Sequence, residues 1–359
     1  MQKNRIELLD SFRAIAIIMV IFFHFFSRWT ILYPYQDQYN FFRIGKFGVH
    51  FFFMISGFVI FFTLKKTETL YQFWINRLIR LFPSMLFASI ITYTFFNLFD
   101  TNFLFPASHY FKNIFASLTF IQPDVLGSLI RHRVELDYIS GSYWSLWVEI
   151  QFYVFASFTY FYYQRKFYSY FFVIALLLIG LNYLLSHLYV DNFIIVKIKS
   201  VRSIFNLLDA LPFFCLGAVF YVFYENNLNK IKNSIKQISI FLFFILFLIF
   251  KNYQDLEKLI LFIGFIFLFI MMIYYPKKIA FLNNRFLNII GISSYFLYLI
   301  HENIGVFLIH KNGIKLSFLP FLPPVIYILI LTISSVFFTR YVENKIIVFL
   351  KNQINFKKT

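Results

Sequence analysis

The first residues able to do chemistry stand at the start of a long apolar run, where Asp10 and Arg13 are followed by His24, eleven residues beyond the arginine. At about 100° per residue, eleven residues return to within about 20° of the starting direction, so Arg13 and His24 share one stripe of a helix. Asp10 falls within about 60° of Arg13 on the same side. The rise from Arg13 to His24 is about 16 Å, half the hydrocarbon thickness of a bilayer. A guanidinium near one membrane face and an imidazole near mid-depth are costly unless their stripe faces a polar cavity, and ionisable groups so placed mark functional sites.

Further groups fall at the same depth. Counted from the expected span edges, His24, Glu149, His301 and Glu302 each lie roughly 20–23 Å above the inner boundary. Pairing that merely holds helices together is one reading of this layer. A metal held by His24, His301 and Glu149 is another, but His301-Glu302-Asn303-Ile304-Gly305 has glycine where a zinc motif needs its second histidine. Gly291-Ile292-Ser293-Ser294-Tyr295 lacks the closing glycine of a hydrolase elbow. At the inner face, Arg77 and Arg80 sit three residues apart, on one side of a helical turn, with Pro83 placed to mark an early turn of the next span. With Arg13 they make three guanidiniums able to converge on one mouth, and planar guanidiniums suit phosphates. A phosphorylated carrier anchored there, with an extended arm of about 15–20 Å, would bring its far end to His24; coenzyme A has that shape.

The elements that must position these groups are membrane spans. The 359 residues are 60% hydrophobic and 14% charged, which excludes an ordinary soluble domain. The net charge of +17 points to cytoplasmic loops rather than to nucleic acid. The expected fold is an all-α bundle of about ten spans, at 11–33, 47–64, 82–99, 143–163, 168–188, 204–224, 235–251, 258–275, 287–310 and 320–341, forming a single domain over 1–359. The stretch 108–122 is expected outside the membrane as a partly buried or interfacial piece. Lys and Arg gather near Lys3, Lys65, Arg77, Arg165, Lys230, Lys277 and Arg340, which favours both termini in the cytoplasm. The only cysteine, Cys215, permits no internal disulfide.

In this order and spacing, several stretches resemble the acyltransferase 3 family of bacterial integral membrane acyltransferases. They are Leu8-Leu9-Asp10 through Arg13 with His24; Gly45 and Gly48 through Ser56-Gly57-Phe58; Arg77, Arg80 and Pro83; Tyr143-Trp144 through Trp147, Glu149 and Tyr153; and Ser294-Tyr295 through Tyr298 and His301. His50 stands where relatives often carry a small polar residue, and the chain resembles the stand-alone type of the family rather than the type that appends an esterase-like domain. The resemblance implies a multi-pass protein of the bacterial inner membrane. It implies an acyl group, commonly acetyl, passed from cytoplasmic acetyl-CoA to a hydroxyl of an extracytoplasmic glycan or lipid-linked sugar, such as O-antigen. Acetyl-CoA is then a substrate, with no permanently bound cofactor and no metal. His24 would act as general base or transient acyl carrier, and Glu149 would orient its ring. Arg13, Arg77 and Arg80 would hold the CoA phosphates, while Ser56, Trp144, Trp147, Tyr298 and His301 would line the acceptor side. Against this stands a transporter or flippase of a lipid-linked sugar, using the buried His and Glu as a proton relay.

Overall fold

The computed structural model describes residues 6–130, 134–187, 197, 202, 204–313 and 319–356, and contains no strand among them. The helices in chain order are α1 (Glu7–Phe23), α2 (Gly48–Leu64), α3 (Leu70–Phe99), α4 (Lys112–Leu118), α5 (Pro123–Leu129), α6 (Trp144–Tyr163) and α7 (Phe167–His187). They continue with α8 (Leu207–Leu228), α9 (Ile235–Asn252), α10 (Leu256–Tyr274), α11 (Arg285–Gly313), α12 (Leu322–Phe338) and α13 (Asn344–Phe356). Among the described residues, nine segments are long and apolar enough to cross a membrane. One of these, Gly141–His187, is broken into α6 and α7 at Gln164–Lys166, where Gln164 takes a φ of 42°. The nine segments thus hold the ten long helices expected. Helices satisfy their own backbone groups, which hydrocarbon cannot do for them.

Two expected boundaries are corrected. The first span ends at Arg28 rather than at residue 33, because Trp29 leaves helical geometry and only a short 3-10 turn follows. Pro83 lies inside α3 and does not mark an early turn, since α3 already begins at Leu70 and carries Arg77 and Arg80 within it. The missing proline N–H removes one internal bond, a loss that membrane helices tolerate.

The chain divides into two compact units. The first comprises residues 1–49, 75–145 and 282–359. At its core α1 and α11 run parallel in close contact. A Cβ on Gly291 would stand 1.8 Å from the Asp10 carbonyl oxygen, so no larger residue fits there without separating the helices, and one on Gly305 would stand 2.1 Å from the tip of the Phe25 ring, which would have to turn aside. The Ser11 hydroxyl donates to the Leu282 carbonyl at 2.7 Å, and Phe296 of α11 stacks on Phe338 of α12 at 3.8 Å. On α3, Ser84 donates to Glu343 at 2.7 Å. Beyond α3 the chain wraps round Asp100, whose carboxylate accepts from the Leu104 and Phe105 N–H groups at 3.0 and 3.1 Å and meets His109 Nε2 at 3.0 Å. Burial would raise the Asp100 pKa, but the bonds from Leu104, His109 and Phe105 outweigh it and hold the carboxyl below its ordinary range. The expected interfacial stretch is folded here, with Asn113 and Ser117 of α4 buried.

The second unit comprises residues 50–74 and 146–281. Its centre is α8, 83% buried along its apolar window. Gly57 of α2 and Gly217 of α8 let the two backbones meet: a Cβ on Gly217 would stand 1.9 Å from the Met54 carbonyl oxygen. The abundant phenylalanines fill the rest by stacking, as with Phe152 on Phe214 at 4.1 Å and Phe51 on Phe265 at 4.3 Å. Ser234 and Gln237 close a reciprocal capping box at the start of α9.

Candidate active site

In the first unit, α1 passes into one turn of π-helix at His24–Arg28. Such turns recur at functional sites, because the extra residue re-aims side chains and leaves carbonyls without their usual helical donors. The hydroxyls of Tyr33 and Tyr35 donate to the freed carbonyls of His24 and Phe25. The loop that follows the span is thereby folded back to fix the turn that carries the histidine.

The turn directs the His24 ring at α11. His24 Nδ1 lies 3.0 Å from His301 Nε2 and 3.0 Å from the Val20 carbonyl. His301 Nδ1 lies 2.8 Å from the Tyr298 carbonyl. Carbonyls only accept, so each Nδ1 carries a proton when the rings are neutral, and the single His24 Nδ1–H is shared between the Val20 carbonyl and His301 Nε2. The Nε2 of His24 is then left with its lone pair and faces Glu302 Oε1 at 3.4 Å. His301 is fully buried and Glu302 nearly so, while the His24 side chain keeps 11% of its surface open. Of the two rings, His24 is the one a reactant can approach. Glu302 thus faces the open edge of the His24 ring, placed to stabilise positive charge that forms there during a reaction.

The connection before α6 braces this cluster. Tyr298 donates its hydroxyl to the Ser142 carbonyl at 2.9 Å and meets Ser145 Oγ at 2.8 Å. Asn303 donates to Ser108 Oγ at 3.0 Å and accepts from the Gly141 N–H at 3.4 Å. Gly141 lies directly on the carboxylate: a Cβ there would be 3.1 Å from Glu302 Oε2.

The arginines belong to the same unit. Arg13 Nη1 donates to Asp10 Oδ1 at 2.9 Å; Arg77 is buried and Arg80 exposed on α3. Gly291 of α11 touches α1 at Asp10, and Tyr295, four residues on, donates to the α3 carbonyl of Leu81 at 3.2 Å. The arginine-bearing turns of α1 and α3 therefore meet α11 within about one helical turn of each other, roughly 15 Å and 9 Å of rise before His301. The first of these spacings parallels the rise from Arg13 to His24 along α1.

The remaining expected residues have other surroundings. Glu149 lies in the second unit, where Ser56 donates to it at 2.6 Å and Tyr153 donates to the same oxygen. Within the first unit, the carboxylate that faces the imidazole is Glu302. Trp147 donates its indole N–H to the Ile204 carbonyl at 3.1 Å, an anchor for the chain before α8. Trp144, at the start of α6, is 43% exposed, whereas Tyr298 and His301 lie within the cluster. Among the described residues no group of three or more His, Cys, Asp or Glu side chains is placed to hold a metal ion. Sequence reasoning missed the tyrosines that fix the π turn and the glycine beneath Glu302. The repeat of Tyr33 and Tyr35 around Pro34, at the end of the expected span, was the available signal for the first.

A family model described as an acyltransferase domain matches residues 6–340. Neither curated proteins nor solved structures give a match. The family match runs over nearly the whole chain, from the first turn of α1 to the turn after α12, and the chain belongs to the acyltransferase 3 family of membrane acyltransferases.

Proposed function

We propose that the chain is an O-acetyltransferase that takes its acyl group from acetyl-CoA and delivers it to a hydroxyl of an envelope polysaccharide or its lipid-linked precursor, in a bacterial inner membrane with both termini in the cytoplasm. The observation that carries this reading is His24 Nε2 standing 3.4 Å from Glu302 Oε1, while the other nitrogen of the ring is held by the Val20 carbonyl and His301. His24 Nε2 takes the proton from the acceptor hydroxyl as its oxygen attacks the thioester carbonyl. Collapse of the tetrahedral intermediate breaks the C–S bond, and the imidazolium returns the proton to the departing thiolate. Glu302 stabilises the imidazolium, and His301 fixes the tautomer through Nδ1, as the buried third member does in a triad. Arg13, Arg77 and Arg80 hold the donor's phosphates about one pantetheine length away. Tyr298 positions His301 through its bonds to residues 142 and 145, and the exposed Trp144 indole offers a face for a sugar ring. The reading asks nothing of Glu149 at the imidazole.

The test is thiol release from acetyl-CoA in membranes supplied with acceptor glycan, followed with a chromogenic thiol reagent. Wild-type membranes release thiol and acetylate the glycan, and His24→Ala membranes with the same amount of protein do neither. Equal release by both would reject the assignment, and loss of sugar flux without any thiol chemistry would favour a transporter.

A further inference from the structure

The second unit contains a cavity of about 250 Å³ among α7, α8 and α9. Its floor is apolar and buried, formed by Phe172, Val219 and Val222. Its rim is cationic: Arg165 and Lys166 come from the break between α6 and α7, and Lys236 from the first turn of α9. Two helix N-termini contribute as well, since Ser169 lies in the first turn of α7 and Ser234 caps α9. The N–H groups of first turns lack helical acceptors and add positive potential to that of the three side chains. Lys236 Nζ donates to Ser169 Oγ at 3.2 Å, holding its charge across the opening. The nearby carboxylate, Glu225, does not cancel the rim, because Lys65 donates to it at 2.6 Å and Tyr168 at 2.9 Å.

A cationic rim over an apolar floor, at the level where membrane-spanning helices end and begin, matches an anionic amphiphile. The volume is below the ~300–1,000 Å³ of drug-sized ligand sites, so it takes a phosphate-bearing headgroup and the start of a chain and excludes a whole nucleotide-bearing donor. We propose that this cleft binds the phosphate of an anionic phospholipid, with Arg165, Lys166 and Lys236 on the phosphate and the first chain methylenes against Phe172, Val219 and Val222. Basic pockets between membrane helices recognise headgroups in this way. The two sites share no residue, and either proposal can fail without the other.

The experiment uses the full chain purified in detergent, exchanged into nanodiscs of phosphatidylethanolamine with or without phosphatidylglycerol, and examined by native mass spectrometry and thermal unfolding. Wild type retains phosphatidylglycerol and melts higher in its presence. Arg165→Gln/Lys166→Gln/Lys236→Gln retains at least fivefold less and loses the thermal gain, while melting like wild type in phosphatidylethanolamine alone. Val222→Phe keeps the charges but fills the floor, and loses retention likewise. Equal retention by wild type and both variants would overturn the proposal. Full protection by millimolar inorganic phosphate, without lipid, would overturn the lipid assignment in favour of a soluble phosphate ester.

Discussion

Glu302 Oε1 stands 3.4 Å from Nε2 of His24, on the one ring atom that the surrounding bonds leave with a lone pair. The two residues come from parallel helices far apart in the chain. They are brought together by a glycine contact at one end, Gly291 on Asp10, and by a π turn at the other.

Glu302→Gln should reduce turnover about 10²–10⁴-fold, with little change in donor KM, because the amide cannot stabilise an imidazolium. Glu149→Gln should leave turnover within a few-fold of wild type if its bonds to Ser56 and Tyr153 serve the second unit alone. Steady-state kinetics on both variants checks the assignment, and the opposite ranking would restore Glu149 as the partner.

Arg77→Gln and Arg80→Gln should raise the KM for acetyl-CoA by about tenfold or more, with kcat held to within a few-fold, because a phosphate contact far from the thioester contributes uniform binding. Dephospho-CoA thioesters should narrow the difference between wild type and variants. An unchanged KM would reduce the pair to topology charges.

Tyr298→Phe removes the hydroxyl that joins α11 to Ser142 and Ser145, at a cost of about 1–3 kcal/mol for the groups left unpaired. A fall in kcat with little change in donor KM, together with a modest fall in Tm, would fit a positioning role. A selective rise in acceptor KM would instead place the hydroxyl on substrate.

Asp100 supplies a pH dependence whose sign is fixed. Its pKa is lowered on folding, so its contribution is fully present above the ordinary carboxylate value of about 3.9 and is lost as pH falls through the depressed folded value. The Tm gap between wild type and Asp100→Asn should be constant from pH 7 to about 5 and close only in stronger acid. A gap already closing near pH 6 would contradict the Asp100 assignment.

Much of this was legible in the chain because it rests on helical period. The stripe of Arg13 and His24, the ten long apolar segments and the common depth of His24, His301 and Glu302 all follow from rise and rotation per residue. The facing of Glu302 on His24 did not, because depth alone does not say which carboxylate of a layer meets an imidazole; lateral packing does. That packing is set by Gly291 and Gly305, whose role is to be small, and by a π turn that no periodicity announces. Pro83 was misread for a related reason. A proline signals the start of a helix in water, while within a membrane span it is tolerated in the interior.

The most direct measurement of the central claim is acceptor-dependent thiol release by His24→Ala in proteoliposomes, at equal protein amount and with Tm matched to wild type. The account predicts a loss of at least about 10³-fold in kcat. Turnover within threefold of wild type would contradict it.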